Sequence, residues 1–134
     1  MPRGASTALL AIVCASAIGC REELGPSRPP SARVGGRVSF RGAPIGGGWI
    51  EFHPIDGALG DIRSAPLNRD GTFVADRVAI GRNAVRLAHP TIVPRSPAIA
   101  TLRRLPVAVQ TIERDGQVLD IDLARELRRP RPDN

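Results

Sequence analysis

Period-two alternation of apolar and polar residues is the feature that most constrains what this chain can fold into. In the stretch RVGGRVSFR (33–41), Val34, Val38 and Phe40 fall on one face, whereas the arginines and the serine fall on the other. Successive side chains of a β-strand point to opposite faces, so the pattern predicts a strand that buries one side. Helical periodicity does not appear after this point.

The stretch WIEFH, which begins at Trp49, continues the pattern with Ile50 and Phe52 inward and Glu51 and His53 outward. The tryptophan falls on the outward, polar side. A large aromatic side chain there either covers a sheet edge or forms a contact site, and the sequence leaves both interpretations open.

Five further runs predict short strands: IRSAPL (62–67), TFVAD (72–76), NAVRLA (83–88), LPVAVQTI (105–112) and QVLDIDL (117–123). Glycine can adopt the positive φ that tight hairpins require, and it occurs in the connectors RGAP (41–44), NRDG (68–71) and RDGQ (114–117). About seven short strands in a domain of roughly 90 residues predict an all-β, antiparallel sandwich of the immunoglobulin-like kind.

The segment HPTIVPRSPAIATLRR (89–104) interrupts this rhythm. Its prolines, Pro90, Pro94 and Pro97, disfavour an interior strand and a long helix. We expect a long surface loop here, and loops of this length are often functional or mobile. The final residues (125–134) indicate a frayed basic tail.

Residues 1–19 have the layout of a secretory signal peptide. Arg3 gives a basic start, an apolar run follows from Ala8 to Val13, and small residues lead up to Gly19. A transmembrane helix is the weaker alternative, because a span needs about 20 predominantly apolar residues and this run is diluted by hydroxyl side chains. We therefore expect export.

Two processing sites compete at the end of this leader. ASA (15–17) fits ordinary signal peptidase, which would release a soluble chain that begins at Ile18. AIGC (17–20) resembles the lipobox of bacterial lipoproteins, although its first alanine stands where leucine is commonest. That resemblance implies cleavage between Gly19 and Cys20, and acylation of the cysteine.

The cysteine count favours the lipoprotein interpretation. Cys14 lies within the leader, so a processed chain keeps Cys20 alone and forms no internal disulfide. The polar, proline-rich residues that follow are typical of a tether, here 20–32. We predict lipid attachment at Cys20, a membrane as partner, and a location in the bacterial cell envelope facing the periplasm or the exterior.

All 19 basic residues are arginines, against 13 acidic residues, and the formal net charge is +6. A basic chain raises the question of nucleic acid. The arginines are scattered, however, and three Phe, one Trp and no Tyr offer few stacking platforms. We expect no nucleic-acid partner, whereas the charge is compatible with an anionic membrane or an acidic polysaccharide.

Taken in order, the tether, VGGRVSFRGAPIGGGWIEFHPIDG (34–57), DGTFVADRVAIGRNAVRL (70–87) and LPVAVQTIERDGQVLDIDL (105–123) resemble a known group. It comprises small exported lipoproteins, abundant in planctomycete bacteria, that carry a carboxypeptidase regulatory-like domain. The resemblance covers 33–124 and implies a transthyretin-like sandwich there, after a leader (1–19) and a tether (20–32).

The marks of this resemblance are turns, core positions and a bend. The fold-signature residues that it implies are Gly36, Gly42, Pro44, Phe52, Pro54, Asp70, Gly71, Phe73 and Gly81. Related domains usually carry a tyrosine near the bend after the last of these glycines. This chain has none, which implies a thinner core or a divergent member.

Enzymatic interpretations find little support in the residues. One branch of the transthyretin fold hydrolyses 5-hydroxyisourate with a C-terminal Tyr-Arg-Gly-Ser, whereas this chain ends RPRPDN. His53 and His89 each precede a proline at an expected strand end, where exposed imidazoles are common. A catalytic set drawn from Ser64, His53 and Asp56 lacks a nucleophile elbow. We predict no catalytic residues.

Cofactor and metal sites are not expected either. The run GGG (46–48) lacks the lysine and the following helix of a phosphate loop, so a strand entry or a bulge explains it better. No Cys/His cluster indicates zinc, and calcium would need acidic residues more densely spaced than Asp56, Asp61, Asp70 and Asp76.

The sequence therefore predicts a non-enzymatic, lipid-anchored β-sandwich that acts as a binding or structural module of the cell envelope, with an envelope protein or a polysaccharide as partner. One alternative is a soluble, secreted protein-binding domain cut after Ala17. A hydrolase with an unrecognised site is the other.

Overall fold

The structure is a computed structural model that describes residues 25, 27–102 and 106–130. Cys20 and the leader lie outside the described residues. The described part forms eight strands and two short helices: β1 (Ser31–Phe40), β2 (Ala43–Pro44), β3 (Trp49–Pro54), β4 (Arg63–Pro66), β5 (Thr72–Ala79), β6 (Gly81–Ala88), α1 (Pro97–Leu102), β7 (Ala108–Ile112), β8 (Gln117–Asp122) and α2 (Leu123–Glu126).

The strand count corrects the prediction of seven, because β2 is an eighth. It folds back on the end of β1, so that Ala43 pairs with Phe40. Arg41 and Gly42 form the link with φ of 51° and 80°, as a two-residue hairpin requires. A strand of two residues contains too few positions to show alternation, which is why the sequence pattern missed it.

The first sheet, called the β1 sheet here, has β1 at its centre. β5 pairs with β1 antiparallel and β8 pairs with it parallel, and both ladders include residues 34–37. The two neighbours must therefore lie on opposite sides of β1. This mixed sheet corrects the expectation of a purely antiparallel sandwich. Alternation indicates which face of a strand is buried, but not in which direction the strand runs.

The second sheet, called the β3 sheet, has the order β4-β3-β6-β7, and every pair in it is antiparallel. Strands β3 and β6 are interior strands, whereas β4 and β7 form the edges. This order matters for the candidate site, because it places Trp49 at the start of an interior strand.

The inward faces of the two sheets share one hydrophobic core. Val34, Val38 and Ile50 are fully buried, as alternation predicts. Phe52 of the β3 sheet and Phe73 of the β1 sheet meet with their ring centroids 5.9 Å apart. Each buried side chain of this size contributes about 1.5–3 kcal/mol. The protein is thus an all-β sandwich of two sheets, as the sequence predicts.

The proline-containing segment 89–104 is held to the sandwich at two points. The backbone of Ile92 forms a bridge with Gly46, and the N–H of each residue donates to the carbonyl of the other, at 2.8 and 2.9 Å. Ile99, in the short helix α1, is buried in the core. The expected surface loop therefore contains a helical turn and an apolar anchor.

Helix α2 extends past residue 124, the predicted end of the sandwich. Asp122 caps the helix, and its Oδ1 accepts from the Ala124 N–H at 2.9 Å. Leu123 and Ala124 are buried. Hydrogen bonds between backbone groups extend to Arg129.

Candidate functional site on the outer face of the β3 sheet

The outer face of the β3 sheet is the side turned away from the core. Ile50 and Phe52 are buried, so alternation along β3 places Trp49, Glu51 and His53 on this outer side. The polar side chains of the neighbouring strands that share it are identified by the strand register.

The register arranges these residues in two rows across the sheet. Direct partners on one face of an antiparallel pair have Cβ atoms about 4.5–5.5 Å apart. The first row is Pro66, Trp49 and Ala88, and the second row is Ser64, Glu51 and Arg86. These six residues are called the Trp49 face below.

Trp49 is 48% exposed although it lies on an interior strand. This position excludes the interpretation that it covers a sheet edge. Its direct neighbours, Pro66 and Ala88, have small side chains. A half-exposed indole between small residues presents apolar surface to any partner of the sheet.

The second row contains one acid, Glu51, that already has a partner, and one base, Arg86. Glu51 Oε2 lies 2.9 Å from His53 Nε2, and both side chains are partly exposed. Arg86 is exposed, and within the described residues it forms no ion pair. Its guanidinium therefore keeps the planar fork of donors that suits a carboxylate.

The catalytic set considered from the sequence is not assembled in this geometry. His53 contacts Glu51, Asp56 forms an ion pair with Arg82, and Ser64 stands opposite Glu51 in the register. A serine triad instead needs the histidine between the serine and the acid. His89 lies apart from this cluster in chain position, just after β6, and is exposed with a φ of 51°.

The four aspartates weighed as calcium ligands lie in separate places, and each has its own partner. The ion pairs are Asp56 with Arg82, Asp61 with Arg63, and Asp76 with Arg33. Asp70 instead accepts from the Thr72 hydroxyl at 2.6 Å and from the Thr72 N–H at 3.0 Å. No group of three His, Cys, Asp or Glu side chains that could hold a metal ion occurs among the described residues.

These bonds change the acidity of Asp70. The Thr72 hydroxyl, and then the backbone N–H of the same residue, lower the pKa of the Asp70 carboxyl below its ordinary value. The main cause is hydrogen bonding to the charged form of the carboxyl group, which favours that form. The role of Asp70 is therefore structural: its carboxylate accepts hydrogen bonds within the turn between β4 and β5.

The run Gly46 to Gly48 is explained by close packing of neighbouring segments. A Cβ on Gly46 would overlap the carbonyl oxygen of Asn68, and a Cβ on Gly47 would overlap the Thr91 hydroxyl. Gly47 and Gly48 also have positive φ, at 74° and 65°. The run lies between two other segments of the chain, so glycine is required there for space and conformation.

The remaining fold-signature residues lie at turns, strand ends and core positions, apart from Gly36, which lies within β1. Gly36 adjoins β8 and Pro54 ends β3. Gly81 has a φ of 108° at the bend between β5 and β6. There the fully buried Asn83 donates from Nδ2 to the carbonyls of Ala79 and Gly81, at 2.8 and 3.0 Å. The side-chain amide of Asn83 therefore braces this bend.

The alternation within β3 predicts that Trp49, Glu51 and His53 share one face, but it does not predict which residues of the neighbouring strands lie beside them. Arg86 and Ser64 join the site only through the strand register. Their outward parity within β6 and β4 is visible in the sequence, but their positions opposite Glu51 are not.

No protein family, curated protein or solved structure matches this chain. Among the described residues, no helix is both long and apolar enough to cross a membrane.

Proposed function

We propose that this protein is a non-enzymatic binding module of the bacterial cell envelope, held at a membrane by lipid on Cys20. The observation that carries the binding role is the exposure of Trp49 on an interior strand of the β3 sheet. Large aromatic side chains are a major source of burial energy, and they are enriched at recognition surfaces. The exposure of the Trp49 side chain on an interior strand is therefore better explained by contact with a binding partner than by a role in stabilising the fold.

The anchoring role is supported by the residues around Cys20. AIGC (17–20) provides a lipobox-like site, and ten residues (21–30) separate the cysteine from the start of β1. Fully extended, a segment of this length spans at most about 35 Å. Two or more acyl chains would hold the chain firmly at the bilayer, and the short tether would keep the Trp49 face at high local concentration near envelope components.

We further infer that the sandwich is of the transthyretin-like kind found in carboxypeptidase regulatory-like domains. The motifs across 33–124 support this assignment. So do the positive φ values of Gly42, Gly71 and Gly81, at 80°, 83° and 108°, since each of these positions is one that the resemblance marks as glycine.

A soluble, secreted form is the second candidate, and the ASA site (15–17) favours it. In that form the chain begins at Ile18 and binds its partner without a membrane. The Trp49 face would serve both forms, so the two candidates differ only in how the N-terminus is processed.

Expression of the full chain in a bacterium with a lipoprotein pathway separates the candidates. Intact mass is measured on membrane and soluble fractions of the wild type, Cys20→Ala and the matched control Cys14→Ala. We expect a membrane-bound chain that starts at Cys20 with added acyl mass in the wild type and in Cys14→Ala, and its loss in Cys20→Ala. A soluble chain that starts at Ile18 in all three would overturn the anchored proposal.

A further inference from the structure

We propose that the Trp49 face binds a polysaccharide that carries carboxylate groups, with a sugar ring on the indole of Trp49 and its carboxylate on Arg86. The inference rests on the proposed role as a binding module and adds the ligand class and the residues that recognise it. Three properties of the face support it: a stacking surface, polar groups at the right spacing, and an arginine that forms no ion pair within the described part of the chain.

The stacking surface is the first row. One face of a sugar ring is dominated by C–H groups, and these contact the electron-rich face of an indole favourably. Trp49 is half exposed, and the residues on either side of it are Pro66 and Ala88. Because both flanking side chains are small, a flat ring can lie across the row without meeting a competing side chain.

The second row supplies hydrogen-bonding groups one step along the strand. Two residues along a strand advance the chain by about 7 Å, and diagonal neighbours on adjacent strands lie about 7–8 Å apart. Glu51 and Arg86 have these relationships to Trp49. A ring stacked on the indole would therefore hold its substituents above a carboxylate and a guanidinium.

The charges favour an acidic sugar over a neutral one. Glu51 is already in contact with His53 at 2.9 Å, so its carboxylate is partly satisfied. Arg86 has no acidic partner within the described residues, and its fork of donors matches a carboxylate in bidentate geometry. Removal of the leader takes away Arg3 and no acid, so the processed chain keeps 18 basic and 13 acidic residues, and this formal net charge of +5 adds a long-range attraction to a polyanion.

The same features disfavour a protein or a nucleic acid on this face. A stable protein interface buries about 800 Å² on each partner and has several aromatic or apolar residues at its centre, whereas the Trp49 face has one aromatic residue beside a polar row. Single-stranded nucleic acid stacks successive bases on several aromatic side chains. One platform with an adjacent arginine fits a single acidic sugar better.

The sequence provides a direct readout of binding. Trp49 is the only tryptophan and the chain has no tyrosine, so intrinsic fluorescence excited near the red edge of the indole band reports this face alone. The protein is the full chain purified from the expressing cells. The probe is an oligogalacturonate, and the matched control ligand is its methyl ester, which has the same backbone without the charge.

We expect oligogalacturonate to change the Trp49 emission with saturation, and its methyl ester to bind about tenfold or more weakly, since it forms no charge-assisted pair with Arg86. Arg86→Gln should weaken oligogalacturonate binding by a similar factor and remove the preference over the ester. Trp49→Ala, followed by calorimetry, should show no binding. The control Val118→Ser alters an exposed residue of the other sheet and should bind as the wild type does.

Equal binding of the acid and the ester would overturn the role of Arg86. No saturable response to oligogalacturonate, or binding that survives Trp49→Ala, would overturn the site. Oligothymidylate is the probe for single-stranded nucleic acid. If it bound more strongly than oligogalacturonate, the ligand of this face would be a nucleic acid and not a polysaccharide. The lipid anchor is tested separately, by the intact mass of the Cys20→Ala variant. An anchored chain that binds no glycan would overturn only the glycan site, and a soluble chain that binds it would overturn only the anchor.

Discussion

Gly36 of β1 lies so close to Leu119 of β8 that a Cβ on the glycine would overlap the carbonyl oxygen of Leu119. The two residues are direct partners in the parallel ladder between these strands. Glycine inside a strand often marks the close approach of another backbone. The pairing that makes the β1 sheet mixed therefore depends on the absence of a side chain at position 36.

Substitution Gly36→Ala should lower the free energy of unfolding by about 1–3 kcal/mol or more, as overpacking does at rigid sites. The added methyl group meets backbone atoms, which cannot move aside as a flexible side chain could. Urea unfolding followed by circular dichroism measures the loss.

The neighbouring glycine provides a matched control. A Cβ on Gly35 would stand 3.5 Å from the Phe73 carbonyl oxygen, an ordinary contact distance. Gly35→Ala should therefore change the stability by no more than about 0.5–1 kcal/mol. Equal losses in the two variants would contradict the close approach at position 36.

The lowered pKa of Asp70 makes a pH-dependent contribution to stability. The unfolded chain has the ordinary value, about 3.9, and the folded pKa lies below it because Thr72 donates to the charged carboxylate. The contribution is therefore complete above the ordinary value and is lost as the pH falls through the lower folded value. An NMR titration of the folded protein should place the Asp70 carboxyl below its ordinary pKa.

Thr72→Val tests the cause of this shift. It removes the hydroxyl, which is the largest contributor, and keeps the backbone N–H, so the Asp70 pKa should move toward its ordinary value without reaching it. The stability of the variant should also depend less on pH below about 4. Thr72→Ser keeps a hydroxyl and should retain most of the shift. An unchanged Asp70 titration in Thr72→Val would refute the role of the hydroxyl.

Much of the fold could be predicted from the sequence because alternation indicates burial directly. Val34 and Val38 are fully buried on the inward side of β1. The same pattern could not predict β2, which has two residues, or the parallel direction of β8. Strand direction depends on where the chain crosses between sheets, and hydrophobic parity contains no information on that crossing.

The candidate site was predictable only along a single strand. Trp49 and Glu51 share a face because they are two residues apart, which the sequence shows. Arg86 reaches the same face because β6 pairs with β3 in one particular register. That register depends on the length of the connections and on core packing, so the cluster of charge beside the indole appears only in three dimensions.

The glycine run beside Trp49 gives the last test, because Gly46 and Gly47 meet different kinds of neighbour. A Cβ on Gly47 would overlap the Thr91 hydroxyl, a side-chain atom, whereas a Cβ on Gly46 would overlap backbone oxygens of Asn68 and Arg69. Removing the threonine hydroxyl can therefore relieve one substitution and not the other.

We expect Gly47→Ala to lower the free energy of unfolding by about 2–4 kcal/mol, from the overlap and from an alanine held at positive φ. Adding Thr91→Ala should recover about 0.5–3 kcal/mol of that loss, since the two residues are in contact, but the φ of 74° keeps the recovery incomplete. The same Thr91→Ala added to Gly46→Ala should recover nothing. Urea unfolding of these four variants and of Thr91→Ala alone measures both couplings. Equal recovery in the two pairs would refute the assignment of separate neighbours to these glycines.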